Sequence, residues 1–449
     1  MRFSQRVIAV AALLMFGLLA VRQQMFVEHF AVNILYWDSW DIYQPLFDHR
    51  GGWALFDLQH GPHRQGVGGL LIGIYAPLSH WDARWDAYCV SYTLMLAALA
   101  GIWLALRCGV GGWGLLAVPL IYLNIRQCHM FIATANPSHG AVPMLLFTLY
   151  CLALFLKSLP WRLCVLSVLT FLLIFTGFGL FAGFITPVLL IVEFIHIVRR
   201  NAPQRARQAT YTVLAMVVTA VSWIVFLIGY QIHATGITFS HGSPPLYFGF
   251  IGAMFGNFFG LGQASPMAVV VGLFAFVCLL VVCLYHFSRL LKWGINGGNT
   301  TSAVIFCCSA FALLFSTQAA EGRVGFGWQT GASSRYVTLM IPMAMALLIH
   351  LAASPSLERY RLSIIFTCLL ALGTGTLNQT EIDGAQRLHD GCLAWESAYL
   401  QTRDPAAADR IAHFAIYEGD LSNRLEQLRR AKLNLFDSAQ TTPQRVLKP

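Results

Sequence analysis

Residues 163–198 read LCVLSVLTFLLIFTGFGLFAGFITPVLLIVEFIHIV. The run is far longer than the ~20 residues that one helix needs to cross a bilayer. Gly177-Phe178-Gly179 divides it into apolar runs at 163–176 and 180–198. Two crossings joined by a tight turn, or one long kinked helix, are the two readings, and the choice decides on which side of a membrane every later segment lies. As one helix, the run would put the basic loop from Arg199 to Arg207 outside, against the rule that cytoplasmic loops hold the excess Lys and Arg. Two crossings are therefore expected.

Outward from that hairpin, further apolar runs lie at 7–21, 87–106, 110–123, 141–156, 211–230, 267–285, 302–315, 337–352 and 362–372. With the central pair they make about 11 transmembrane helices, an all-α integral membrane protein. The 449-residue chain is 57% hydrophobic and only 11% charged, too apolar for a water-soluble protein of this size. The net charge of +9 is spread through short loops rather than gathered in one stripe, so no nucleic-acid partner is expected. Eleven cysteines show no C-x-x-C spacing and imply no metal framework.

With the N-terminus inside, the cytoplasmic segments carry thirteen basic residues: Arg2, Arg6, Arg107, Lys157, Arg162, Arg199, Arg200, Arg205, Arg207, Arg289, Lys292, Arg359 and Arg361. The other side, without the tail, carries seven: Arg22, Arg50, Arg64, Arg84, Arg126, Arg323 and Arg335. That asymmetry predicts a cytoplasmic N-terminus and an outside C-terminus. The first apolar run has no A-x-A-type cleavage site and is expected to stay as a span. Residues 1–376 form the polytopic transmembrane domain, with a first outer loop at 22–86. Residues 377–449 form an outer-face tail of three short helices, starting afresh at Asp404-Pro405 and breaking at Gly419-Asp420. The apolar run at 67–78 is too short to span and fits an interfacial or re-entrant helix. The Phe- and Gly-rich stretch at 247–261 is expected to dip into the membrane surface or line a lipid-facing groove.

Acids and unpaired bases concentrate on the outer side. Tyr36-Trp37-Asp38-Ser39-Trp40-Asp41 sets two carboxylates three residues apart, which a helix would place on one face. Asp38 is the first choice for a general base and Asp41 the second. Trp37 and Trp40 equally suit a membrane interface. His60 and His63 flank Gly61-Pro62, which favours a turn. Together with Asp38 or Asp41 they leave a divalent metal open, with polar packing the commoner role for such a pair. Arg64, Arg323 and Arg335 each adjoin apolar sequence, where a guanidinium needs an anion or a route to water. A planar fork of donors suits a lipid phosphate, but snorkelling or pairing with Glu321 or the aspartates is as good a reading of any one of them. Cys128 and Cys392 both fall outside, and a disulfide between them is a further expectation. No P-loop or dinucleotide fingerprint occurs.

Taken together, the chain resembles the GT-C superfamily of polytopic glycosyltransferases, in its bacterial aminoarabinose-transferase and protein-mannosyltransferase-like branch. The resemblance rests on Trp37-Asp38-Ser39-Trp40-Asp41, His60-Gly61-Pro62-His63-Arg64, Gly322 to Gly327, Ser334-Arg335-Tyr336 and the closing segment 421–436. It implies transfer of a sugar, with inversion, from a polyprenyl-phosphate donor to an acceptor at the outer face of the bacterial plasma membrane. Asp38 or Asp41 would take the acceptor proton. Arg323 and Arg335 would meet the lipid phosphate, and His60, His63, Arg64 and Tyr336 would support the substrates. Gly61-Pro62 departs from the pattern, since relatives commonly carry an acid or Asn there. Two other classes compete: a multi-span transporter or lipid flippase, and a lipid-linked glycan polymerase or ligase. Transporters usually place acids at mid-membrane and show repeats. Here Glu193 is almost the only acid within a span, and no repeat is evident.

Overall fold

The computed structural model describes residues 3–133, 135–199, 203–232, 242–262, 265–295, 299–353, 356–375, 377 and 379–437, with side chains from Val7 onward. Arg2 and Arg200 of the charge count lie outside these residues, as do parts of the third outer loop and the end of the tail. The described chain is all-α apart from one two-stranded hairpin.

The central run folds as two helices, Leu159–Phe175 and Phe181–Arg199, joined by a short 3-10 turn at Gly177–Leu180. Their contacts close like a zipper. Arg162 Nη2 meets Glu193 Oε1 at 3.1 Å across 31 residues, and the Thr170 and Thr186 hydroxyls meet at 2.9 Å across 16. Only an antiparallel hairpin shortens the loop in that way. Gly177 makes the turn possible, because its φ of +53° is in the left-handed region and a Cβ there would collide with the Ser138 carbonyl.

Among the described residues seven helices are long and apolar enough to cross a membrane: Val7–Phe30, Arg84–Arg107, Gly177–Arg199, Arg205–Leu227, Pro266–Trp293, Thr300–Phe326 and Ser334–Ala352. Leu357–Thr374 passes the same test only in combination with Gln379–Thr402, across a 44° bend. The expected runs at 141–156 and 163–176 appear as the shorter helices Ala141–Ala153 and Leu159–Phe175. Thirteen residues of helix extend roughly 20 Å, less than the ~30 Å hydrocarbon layer. The run at 110–123 breaks into Gly112–Leu116 and Ala117–Tyr122, where glycines at 111 and 112 and Pro119 interrupt it.

The polarity of these helices suits lipid. In Arg205–Leu227 the buried positions include Thr212, Thr219 and Ser222, whereas Leu214, Val217, Val221 and Ile224 are exposed. Pro266–Trp293 exposes Met267, Val270, Phe274, Val277, Val281 and Leu284, a stripe of alternating three- and four-residue steps along one face. Small and hydroxyl-bearing residues inside with large apolar ones outside is the arrangement of a membrane bundle, because the surrounding solvent is hydrocarbon. The chain is a multi-pass membrane protein. The stretch at 247–261 corrects its expectation: Pro244–Phe258 buries Phe250, Phe255 and Phe258 and fits Gly252 and Gly256 against the backbone of Pro266–Trp293, so it belongs to the packed interior.

The tail forms the three expected helices, Gln379–Thr402, Pro405–Ala412 and Ser422–Ala431, with Asp404 capping the second through Ala406 N at 2.9 Å. It shares a core with the first outer loop, in which Trp40, Tyr43 and Trp81 pack with Trp395, Leu425 and Leu428. The helix Gly66–Leu78 closes that core with Ile72 and Ala76 and leaves Ile74 and Leu78 exposed. Loop and tail therefore lie on the same side, and an even number of crossings separates them. Arg22 agrees: its guanidinium donates to the carbonyls of Leu123, Thr374 and Gly375, gathering two helix C-termini at one level. The Cys128–Cys392 disulfide is not formed. All eleven thiols are unbridged, Cys128 lies against Ser334 Oγ in the bundle, and Cys392 is buried in the loop–tail core.

Candidate functional site

Asp38 begins the four-residue helix Ser39–Ile42 but does not cap it with its side chain. The preceding Trp37 has φ +48°, unusual for a non-glycine residue, and its N–H is tied to the Ile416 carbonyl at 2.8 Å. His60 and His63 are paired across the hairpin of Gln59–His60 and His63–Arg64, with Gly61 at φ +61° in the two-residue turn. His60 Nε2 stands 3.5 Å from Asp38 Oδ2.

These side chains open onto one cavity of about 270 Å³. Its wall also takes in His139 from the second outer loop, Phe178 from the hairpin turn, Phe315 and Gln318 from Thr300–Arg323, then Arg323, Arg335 and Tyr336. The short turn Ser334–Tyr336 that carries Arg335 and Tyr336 is held by Ser334 Oγ, which donates to the Arg126 carbonyl at 2.6 Å and accepts from His129 N at 3.2 Å. Arg323 and Arg335 are exposed, and neither makes an ion pair or hydrogen bond among the described residues; Arg323 only overlies the Phe326 ring at 5.7 Å.

The electrostatics separate two kinds of imidazole. The His60 contact holds the Asp38 carboxyl below the usual carboxylate range, over the opposing effect of burial. Burial pulls His60 down, but the Asp38 carboxylate outweighs it and raises the imidazole above its ordinary value. His63 has no such partner: burial, then the neighbouring His139 and His60, push it well below. Burial takes His139 down to about 4. Asp38 and His60 thus favour each other's charged forms, whereas burial favours the neutral ring in His63 and His139.

Of the residues singled out from sequence, Asp38, His60, His63, Arg323, Arg335 and Tyr336 meet at the cavity. Asp41 and Arg64 do not. Asp41 turns to the tail, where it accepts from Tyr417 Oη at 2.6 Å and lies 3.6 Å from Arg424. Arg64 follows His63 on a strand, and successive strand residues point to opposite faces. It is buried, pairs with Asp57 at 2.7 Å and donates to the carbonyls of Phe226 and Ile228, closing the C-terminus of Arg205–Leu227. Replacing Arg64 with Met leaves these acceptors and the Asp57 carboxylate without their cation. A loss of about 3 kcal/mol is expected, read as a lower thermal midpoint of the detergent-solubilised protein. Wild-type melting of Arg64→Met would show the cap to be idle.

His139, Phe178, Phe315 and Gln318 are among the lining residues that sequence reasoning did not select. The Gly177-Phe178-Gly179 turn was the available signal for Phe178, since it brings an aromatic ring to the end of a hairpin. As to the divalent metal left open above, among the described residues no group of three or more His, Cys, Asp or Glu side chains stands close enough to hold an ion, and the His60 and His63 rings are 6.5 Å apart. No protein-family model, curated protein or solved structure matches the chain.

Proposed function

We propose that this protein is an inverting glycosyltransferase that moves a sugar from a polyprenyl-phosphate donor to an acceptor at the outer face of the bacterial plasma membrane, with the GT-C plan of eleven crossings, the N-terminus cytoplasmic and the C-terminus periplasmic. The observation that carries this reading is the meeting of one ionised carboxylate and two unpaired guanidinium groups in a single cavity of a membrane bundle. A displacement at a sugar carbon needs a base for the incoming hydroxyl and positive charge for the departing phosphate, and these groups supply both. In the transfer, the bond from the sugar's anomeric carbon to the phosphate oxygen breaks and a bond to the acceptor oxygen forms. The hydroxyl proton passes to Asp38, and the phosphate dianion leaves against Arg323 and Arg335.

The eleven-crossing order is supported by where the lining residues come from. Asp38, His60 to His63, Met130 and His139, Phe178, Gln318 to Arg323, and Arg335 belong to four separate segments, each of which that order assigns to the outer side. The shared core of loop and tail agrees, since it requires an odd total. A transporter is less well served, because the most deeply buried acid–base pair among the described residues, Arg162 with Glu193, clasps the hairpin and does not line the cavity.

Mass spectrometry of lipids and surface glycans from cells with and without the protein tests the reading. Loss of the protein is expected to leave a polyprenyl-phosphate sugar unconsumed and one surface glycan or glycolipid without that sugar. Identical profiles, or a C-terminal tag shielded from protease in spheroplasts, would count against it.

A further inference from the structure

The phosphate and the base leave one lining side chain unused. His63 is 2% exposed, and neither of its ring nitrogens has a hydrogen-bond partner among the described residues. Its neighbours are the His139 ring at 5.2 Å and the Phe178 ring at 4.8 Å. The deficit continues behind it. Gln65 has both side-chain amide atoms unpartnered and Asn136 has its amide nitrogen unpartnered, and the two residues are linked through Ser138, whose Oγ donates to the Gln65 carbonyl and whose N–H donates to Asn136 Oδ1. Buried polar groups without partners cost free energy and are rare in folded proteins, so an unpartnered imidazole in the cavity wall marks a place where a ligand or bound water supplies the missing bonds.

The charge of that ligand follows from what faces it. Among the described residues Asp38 is the one carboxylate that lines the cavity; it is engaged by His60, and the two guanidinium groups line the same cavity. An ammonium group would meet two cations and no disengaged anion. With both guanidinium groups taken by the phosphate, a carboxylate beside His63 would be a buried charge left against the His139 and Phe178 rings, which is costly. Hydroxyl groups meet neither penalty, because a neutral imidazole offers one donor and one acceptor and a hydroxyl can answer both. Phe178 and Phe315 supply the flat apolar walls usual in small-molecule sites, and about 270 Å³ suits a single ring rather than an oligosaccharide.

We infer that the group transferred from this cavity is an uncharged, hydroxyl-bearing sugar ring, held by His63 beside His139 and Phe178. The inference rests on the transferase reading above and narrows its donor: an amino sugar or a uronic acid is excluded.

The test is calorimetric binding of four probes to the purified full-length protein: neryl phosphate, and the same lipid phosphate carrying glucose, glucosamine or glucuronic acid. The glucose probe is expected to bind about tenfold more tightly than bare neryl phosphate, the return of one or two hydrogen bonds, and the two charged sugars no more tightly than the bare lipid. In His63→Phe the preference for glucose collapses. Equal binding of glucose and bare probes, or tightest binding of glucosamine or glucuronate, overturns the inference and leaves the lipid-phosphate reading standing. Persistence of the preference in His63→Phe overturns the role of His63. Failure of all four probes to bind overturns the transferase reading and this inference with it. The wild-type ranking decides the sugar class even if the variant does not fold.

Discussion

Asp38→Asn lowers sugar transfer by about 10³-fold while the protein still folds and melts as wild type. Asparagine keeps the size of the side chain and cannot accept the acceptor's proton, and general-base removal typically costs 10²–10⁴ in rate. The fold tolerates the change because Asp38 neither caps its helix nor belongs to the aromatic core of loop and tail. The partnership with His60 adds a pH signature. Below the raised value of His60, above 6.5, the imidazole is a cation that holds the Asp38 carboxyl down and makes it a poor base. As pH rises through that value the imidazole becomes neutral, the carboxylate recovers basicity and the rate increases. His60→Gln removes this limb, and Asp38→Asn flattens it at a low rate. A full rate in Asp38→Asn, or a limb that survives in His60→Gln, would move the base to another group.

What the sequence made legible here follows from range. Apolar periodicity and turn chemistry act over a few residues, so the hairpin at Gly177-Phe178-Gly179, the tail helices and the His60-Gly61-Pro62-His63 turn could be read directly. The cavity members Arg323 and Arg335 were legible because each adjoins apolar sequence, where a guanidinium needs an anion or a route to water. Asp41 was not, since its partners Tyr417 and Arg424 arrive from a tail more than 370 residues later. Arg64 misled for a different reason. Its anion, Asp57, and the open carbonyls of a helix end satisfy it inside the protein, and an arginine beside an apolar run looks the same whether it waits for a phosphate or closes a helix. The strand alternation after His63 was the one local clue that these neighbours part company. Lengths of apolar runs proved the weakest guide, because helices such as Ala141–Ala153 are buried among other helices and need not match the bilayer by themselves.

Arg323→Gln combined with Arg335→Gln weakens binding of neryl phosphate by about 10²- to 10³-fold. Charge-assisted hydrogen bonds to a phosphate are worth about 1.5–3 kcal/mol each, and two are lost. The same double substitution is expected to leave the thermal midpoint of the empty protein unchanged or slightly higher, since neither arginine has a carboxylate partner to abandon among the described residues and two like charges facing one cavity repel. Arg64→Met predicts the reverse: a lower midpoint, from the loss of a helix closure. Three arginines that look alike in sequence thus divide by a single pair of measurements into one that holds the bundle together and two that hold a ligand. A fall in the midpoint of the Arg323 and Arg335 variant comparable to that of Arg64→Met, with little change in lipid-phosphate binding, would place them in the structure instead and leave the cavity without its anion site.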